Sequence, residues 1–256
     1  MEWEAPAIVL AASSYGEGGA VAHVLSEEFG AYRGLVRGGS SRAQIANWQA
    51  GNLITARWVA RLPEMLGNLT AELVHPSSAR LLQFARPLAM LSSACAVADG
   101  ALPEREAHPR LFHGLAGLLT LLSLDPDEGE RLGPAALVRW EMTLLSELGY
   151  GLDLTECAVC GGSDNLAFVS PRSGRAVSEE GAGLWRERLL RLPKFLLDDA
   201  DPGNAADWRD GLRLTGHFLV RDAFGQRHRP LPQARGRLYD MMVTLAETDS
   251  ETGPGS

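Results

Sequence analysis

Residues 1–75 alternate between short apolar, β-branched runs and turn-forming clusters, and then the alternation stops. The runs are AIVLAAS, AVAHVLS, AYRGLVR, NLITARWVARL and NLTAELV. Between them stand SYGEGG, EEFG, GGSSRA, QAGN and PEMLGN. Short strands at this spacing cannot bury a face alone, so they must close on one another as a small sandwich or barrel. Five strands in about 75 residues suit an OB-like β-barrel.

From Pro76 the period becomes helical. PSSARLLQFARPLAMLSSACAVAD reads as a helix with Ser77 or Ser78 as N-cap, and HPRLFHGLAGLLTLLSL as a second helix ended by Asp125-Pro126. GPAALVRWEMTLLSELGYG is the clearest helix, with Pro134 at its start and Gly149 or Gly151 at its end. Residues 152–183 are loop-rich and contain CAVCGG. Helices are expected again at GLWRERLL, in NAADWRDGLRLTGHFLVRDAF and in RGRLYDMMVTLAE, before a tail expected to be disordered. The fold class is therefore α+β, an OB-fold β-barrel followed by a helical domain.

Composition excludes several activities. The chain holds one lysine, Lys194, among 24 basic residues, and no glycine-rich loop precedes it. A phosphate-binding loop needs Gly-Lys-Ser/Thr, so a GTPase or ATPase is not expected. SYGEGG lacks the GxGxxG spacing and reads as a hairpin turn. No Gly-x-Ser-x-Gly elbow is present. His108 and His113, with Glu104 and Glu106, lack His-Glu-x-x-His spacing and are split by Pro109, so they read as loop and helix-start residues. No catalytic centre is expected.

No apolar run approaches the ~18 residues of a membrane span. MEWEAPAIVLAA carries glutamates where a secretory leader needs basic residues, and reads as a structural start. The 3 cysteines, Cys95, Cys157 and Cys160, make no disulfide framework, and a cytoplasmic setting is expected.

Charge points to a function. The formal net charge is −8, yet Phe29 to Pro63 contains Arg33, Arg37, Arg42, Arg57 and Arg61 and no acid. In a strand, alternate residues share a face. Arg33, Leu35 and Arg37 share one face of their strand. Thr55, Arg57, Val59 and Arg61 share one face of theirs, opposite an apolar set of Ile54, Ala56, Trp58, Ala60 and Leu62. Such a surface reads as a phosphate track for DNA, with Trp48 or Tyr32 available to stack on bases and Trp58 turned inward. The competing reading is a solvated strand surface paired with acids elsewhere. A second basic set lies in Arg213, Arg221, Arg227, His228, Arg229, Arg235 and Arg237, partly offset by Asp210, Asp222 and Asp240. In it Arg213, His217 and Arg221 recur at helical spacing. A protein–protein adaptor, favoured by the acidic net charge, is the rival function.

Four stretches carry a resemblance: VLAASSYGEGGAVAHVLSEEFGAYRGLVRGG, RWEMTLLSELGYGLDLTECAVCG, LAFVSPRSGRAVSEEG and DGLRLTGHFLVRDAF. Over roughly residues 7–245 the chain resembles the RecO family of bacterial recombination mediators, most specifically from Arg139 to Gly161. The resemblance implies an OB-fold domain over 1–76 and a helical domain over 77–248 with a ribbon-like insertion at about 153–183, leaving 249–256 as the tail. It implies binding of single- and double-stranded DNA, strand annealing and work with RecR. It also implies help in loading RecA onto strands coated by single-stranded DNA-binding protein, in the nucleoid. The family's basic loop maps onto Arg37-Gly38-Gly39-Ser40-Ser41-Arg42. The face of Arg213, His217 and Arg221 reads as further DNA-binding surface, as the seat that the resemblance implies for the acidic, Phe-ending tail of the coating protein, or as a surface helix with ordinary salt bridges.

Many family members hold structural zinc with two Cys-x-x-Cys pairs. Here the first pair is Cys157 and Cys160, while Ser178 and Gly181 stand where the second would be. Zinc needs four ligands. No cofactor is therefore expected, and the ribbon is expected to rest on Leu166, Phe168, Val169 and Val177.

Overall fold

The computed structural model describes residues 1–39, 41–62 and 65–252, with the backbone alone for Arg42, Ala43 and Thr252. Contacts divide the chain into two compact units, Met1–Gly133 and Pro134–Ser256.

The first unit opens with five strands: β1 (Glu2–Tyr15), β2 (Gly19–Ser26), β3 (Gly30–Val36), β4 (Leu53–Val59) and β5 (Gly67–His75). They close into a barrel in the order β1-β2-β3-β5-β4. All pairings are antiparallel except β3 with β5, where Gly34 faces Gly67 and Leu35 faces Asn68. This is the OB-fold expected. The turn at SYGEGG is the β1–β2 hairpin, with Gly16 and Gly18 at positive φ of 59° and 84°.

Alternation along each strand fills the barrel. On β4, Ile54, Ala56 and Trp58 are buried while Arg57 and Val59 face solvent. Leu62, expected inward, is exposed because β4 ends at Val59 and the two-residue period ends with it. Trp58 is fully buried and donates from Nε1 to the Arg33 carbonyl at 3.1 Å. It lies so close to β5 that a Cβ on Gly67 would fall 2.3 Å from its ring. Trp3 stacks on Phe29 at 4.9 Å, and Tyr32 meets Trp58 edge-on at 5.1 Å.

A short turn of helix, α1 (Arg42–Ile45), follows β3. After the barrel come α2 (Ser77–Arg80), α3 (Ala85–Ala101) and α4 (Pro109–Leu124), so the first expected helix is broken in two. Between α3 and α4 the Arg105 N–H donates to the Ala31 carbonyl at 2.8 Å. Gly30, at φ +73°, lets this connection approach: a Cβ there would sit 1.9 Å from the Glu106 carbonyl oxygen.

Helix α5 (Pro126–Glu147) begins eight residues before the expected start and contains Pro134 in its interior. Asp125 caps it by accepting from the Glu128 N–H at 3.1 Å, and Pro126 takes the N1 place that had been given to Pro134.

In the second unit β6 (Leu166–Val169), β7 (Ala176–Ser178) and β8 (Leu190–Arg191) form a sheet in the order β7-β6-β8, with α6 (Glu179–Ala182) after β7. Phe168, Val169 and Val177 are buried in it and Leu166 is partly buried. GLWRERLL, expected to be α-helical, is a 3-10 turn over Gly183–Arg188 followed by β8. Helix α7 (Ala205–Phe218) starts with a capping box between Asn204 and Asp207 and runs into a π-helical turn over Leu219–Phe224. Helix α8 (Gln233–Thr252) carries the chain to the end of the described residues. Residues 249–252 of the tail expected to be disordered belong to this helix, and 253–256 lie outside the described residues. No helix among the described residues is long and apolar enough to cross a membrane.

Candidate nucleic-acid interface

The barrel register explains how the arginines are arrayed. Asn68 of β5 faces Leu35 of β3 on one side and Val59 of β4 on the other. Two residues along from Leu35 stand Arg33 and Arg37, and two along from Val59 stand Arg57 and Arg61. All four are exposed. Arg57 pairs with Thr70 and Arg37 shares a hollow with it, so these two flank the outer surface of β5, while Arg33 lies toward the start of that strand and Arg61 follows the end of β4. Strand spacing puts β3 and β4 ~10 Å apart on either side of β5.

Sequence clears acids from this segment, but the fold returns some. Arg57 Nε donates to Glu2 Oε1 at 2.6 Å, and Arg33 Nε lies 3.1 Å from Glu104 Oε1. All four side chains are about half exposed, so each pair contributes at most ~1 kcal/mol and is open to exchange. Arg37 and Arg61 have no carboxylate partner among the described residues. The side chain of Arg42 lies outside the described residues.

Arg37 lines a hollow of about 370 Å³ with Leu35, Gln44, Asn68 and Thr70. Arg57 lines another of about 360 Å³ with Glu4, Thr55 and Glu72. Thr70 and Ala71 border both, so the hollows meet along β5. Guanidinium groups beside threonine and asparagine side chains suit phosphate oxygens.

Of the expected stacking residues, Trp48 borders the Arg37 hollow but exposes little of its ring there, and Tyr32 does not line it. Tyr32 and Trp48 are 7% and 4% exposed and belong to the barrel core. Tyr32 alternates with Arg33 and so points inward; Trp48, in the connection after α1, plugs the same core. Neither offers a ring face to a base.

In the second unit Arg213, His217 and Arg221 do come together. They line a hollow of about 670 Å³ with Leu212, Val220 and Tyr239. Their duties differ. His217 Nε2 lies 3.0 Å from the Pro171 carbonyl oxygen, and Arg221 donates to the carbonyls of Pro171 and Arg172 and to Asp222. Both hold the β6–β7 turn. Arg213 is exposed, with no carboxylate partner among the described residues.

Arg235, read from sequence as part of a basic surface set, is buried and lines the same hollow. It donates to Glu141 Oε1 at 2.6 Å and Oε2 at 3.0 Å and to the Leu212 carbonyl at 2.7 Å, while Thr215 also donates to Glu141. Nothing in the sequence signals this pair, whose members lie 94 residues apart.

The Cys-x-x-Cys turn packs against the start of α6. Cys157 Sγ accepts from the Ser178 N–H at 3.2 Å, the Ser178 hydroxyl at 3.4 Å and the Val159 N–H at 3.4 Å. Burial pushes the Cys157 thiol up, but hydrogen bonds from Ser178, Cys160 and Val159 outweigh it and bring the pKa down to about 6. Cys160 Sγ lies 3.8 Å from the same hydroxyl. Gly181 leaves room for the sulfur, since a Cβ there would sit 2.9 Å from Cys157 Sγ. Two thiols, a hydroxyl engaged with its neighbours and a glycine do not fit a closed tetrahedral zinc site. Cys95, buried in α3, is pushed up to about 12 by burial and by the charge of Asp99.

A family model described as Recombination protein O N terminal matches residues 1–77, and one described as Recombination protein O C terminal matches residues 86–230. The chain belongs to the RecO family. A DNA repair protein RecO of Gluconacetobacter diazotrophicus is 65% identical over 245 residues, covering 96% of each chain. One from Granulibacter bethesdensis is 57% identical, covering 98% of this chain and 99% of the relative. One from Caulobacter vibrioides is 43% identical across 97% of this chain. The matched span therefore takes in the barrel, the helices and the small sheet alike.

Proposed function

We propose that this chain, a member of a DNA recombination and repair family, is a mediator that binds single- and double-stranded DNA and promotes annealing. The observation that carries the reading is the set of exposed arginines on either side of β5. Each guanidinium that meets a phosphate releases counterions and lowers the repulsion between two strands. Where Arg33 and Arg57 hold carboxylates, a phosphate replaces a weak surface partner rather than a buried one. No covalent step is involved.

We propose further that the chain works with RecR in loading RecA onto strands coated by single-stranded DNA-binding protein, in the cytoplasm at the nucleoid. The Arg213 hollow supports docking of an acidic, Phe-ending tail: apolar Leu212, Val220 and Tyr239 for the ring, and Arg213 for the carboxylates. His217 and Arg221 shape its wall. The ribbon, in this reading, needs no zinc.

The direct test is annealing of complementary labelled oligonucleotides, followed by energy transfer. Acceleration by the protein that is lost in the Arg33→Ala/Arg37→Ala/Arg57→Ala/Arg61→Ala variant supports the mediator. The net charge of −8 favours an adaptor as the second reading, and that reading predicts no acceleration by either protein.

A further inference from the structure

With Tyr32 and Trp48 in the core, an aromatic that solvent reaches beside a cation lies in the second unit. The 3-10 turn Gly183–Arg188 has no buried residue. It presents Leu184, fully exposed, and Trp185, 62% exposed. Val159, also exposed, packs on α6 just ahead of this turn: its Cβ lies 3.4 Å from where a Cβ on Gly181 would be. Exposing an indole and a leucine side by side forgoes the burial each would gain in a core, and such patches mark binding surfaces.

The surroundings select the partner. Arg188 lies over the Trp185 ring at 5.2 Å, and Arg186 and Arg191 lie over Phe168 at 5.3 and 5.0 Å. Arg186 pairs with Glu179, whereas Arg188, Arg191 and Lys194 have no carboxylate partner among the described residues. An exposed indole with the Arg188 guanidinium over its ring is the combination that holds single-stranded nucleic acid, through stacking on the ring and phosphate contact beside it. A duplex stacks its bases on one another and leaves no free face for the ring.

We propose that Trp185, backed by Arg188, is a stacking platform for an unpaired base, giving single-stranded DNA a second contact on the ribbon. This rests on the DNA-binding reading above. The test is fluorescence anisotropy of the full chain and its Trp185→Ala and Trp185→Phe variants, with a labelled single strand and with the matching duplex.

Loss of one stacked base lowers single-strand affinity roughly 5- to 100-fold. The salt dependence stays unchanged, because no phosphate contact is removed. Duplex affinity stays within about twofold, and Trp185→Phe recovers most of the loss. Undiminished single-strand binding in Trp185→Ala, or an equal loss on both DNA forms, overturns the platform while leaving the arginine track standing. Absence of salt-dependent binding by the unaltered chain overturns the DNA reading itself, and the platform with it.

Discussion

Arg57 donates to Glu2 across the β1–β4 pairing, and so the arginine-rich segment is restrained by an acid 55 residues away. Removing that acid should release a cation. Glu2→Gln is expected to raise single-strand affinity about two- to fivefold and to steepen the log–log salt slope by roughly 0.7, one added phosphate contact. Unchanged affinity would mean that Arg57 does not meet DNA.

The Glu141–Arg235 pair sets a second expectation. Both residues are buried, and each satisfies the other's charge. Arg235→Ala strands the carboxylate and should cost roughly 3–5 kcal/mol in chemical denaturation. The double variant Glu141→Met/Arg235→Leu should cost clearly less. Equal losses would show that packing rather than the uncompensated charge dominates.

Cys157 makes a pH prediction. Its folded pKa is held below the ordinary 9.0, at about 6. Its contribution to stability is therefore fully present above pH 9.0 and is lost as pH falls through about 6. Thiolate absorbance at 240 nm, taken as the difference from Cys157→Ser, should titrate with a midpoint near 6. In Ser178→Ala, which removes the largest of the hydrogen bonds that lower it, the midpoint should rise.

Metal content follows from the same vertex. The purified chain should carry far less than one zinc, and chelator should leave its melting temperature unchanged. Ser178→Cys/Gly181→Cys restores four thiols and should gain about one zinc per chain. One tightly held zinc in the unaltered chain would refute the metal-free vertex.

Much of the barrel was legible because its strands obey a period of two and Gly, Ser and Asn mark every turn. The same alternation that turns Arg33 outward turns Tyr32 inward, so that misreading was avoidable. Trp48 carried no such signal, since its connection has no period. The early start of α5 was masked by two prolines, Pro126 and Pro134, each able to occupy the first helical turn. Glu2 and Glu104 as arginine partners, and Glu141 beneath Arg235, were not legible, because charge pairing across dozens of residues is set by register and packing. Trp185 was not singled out: GLWRERLL reads only as a helix, and so short a stretch carries no period that tells an exposed indole from a buried one.

The role proposed for the arginines beside β5 is that of a phosphate track. Anisotropy of a labelled single strand across a salt series, for the unaltered chain and for Arg33→Ala/Arg37→Ala/Arg57→Ala/Arg61→Ala, tests it most directly. A steep slope should flatten by roughly 2–3 in the variant, at about 0.7 per lost contact. An identical slope in the two proteins would contradict it and place DNA contact elsewhere in the chain.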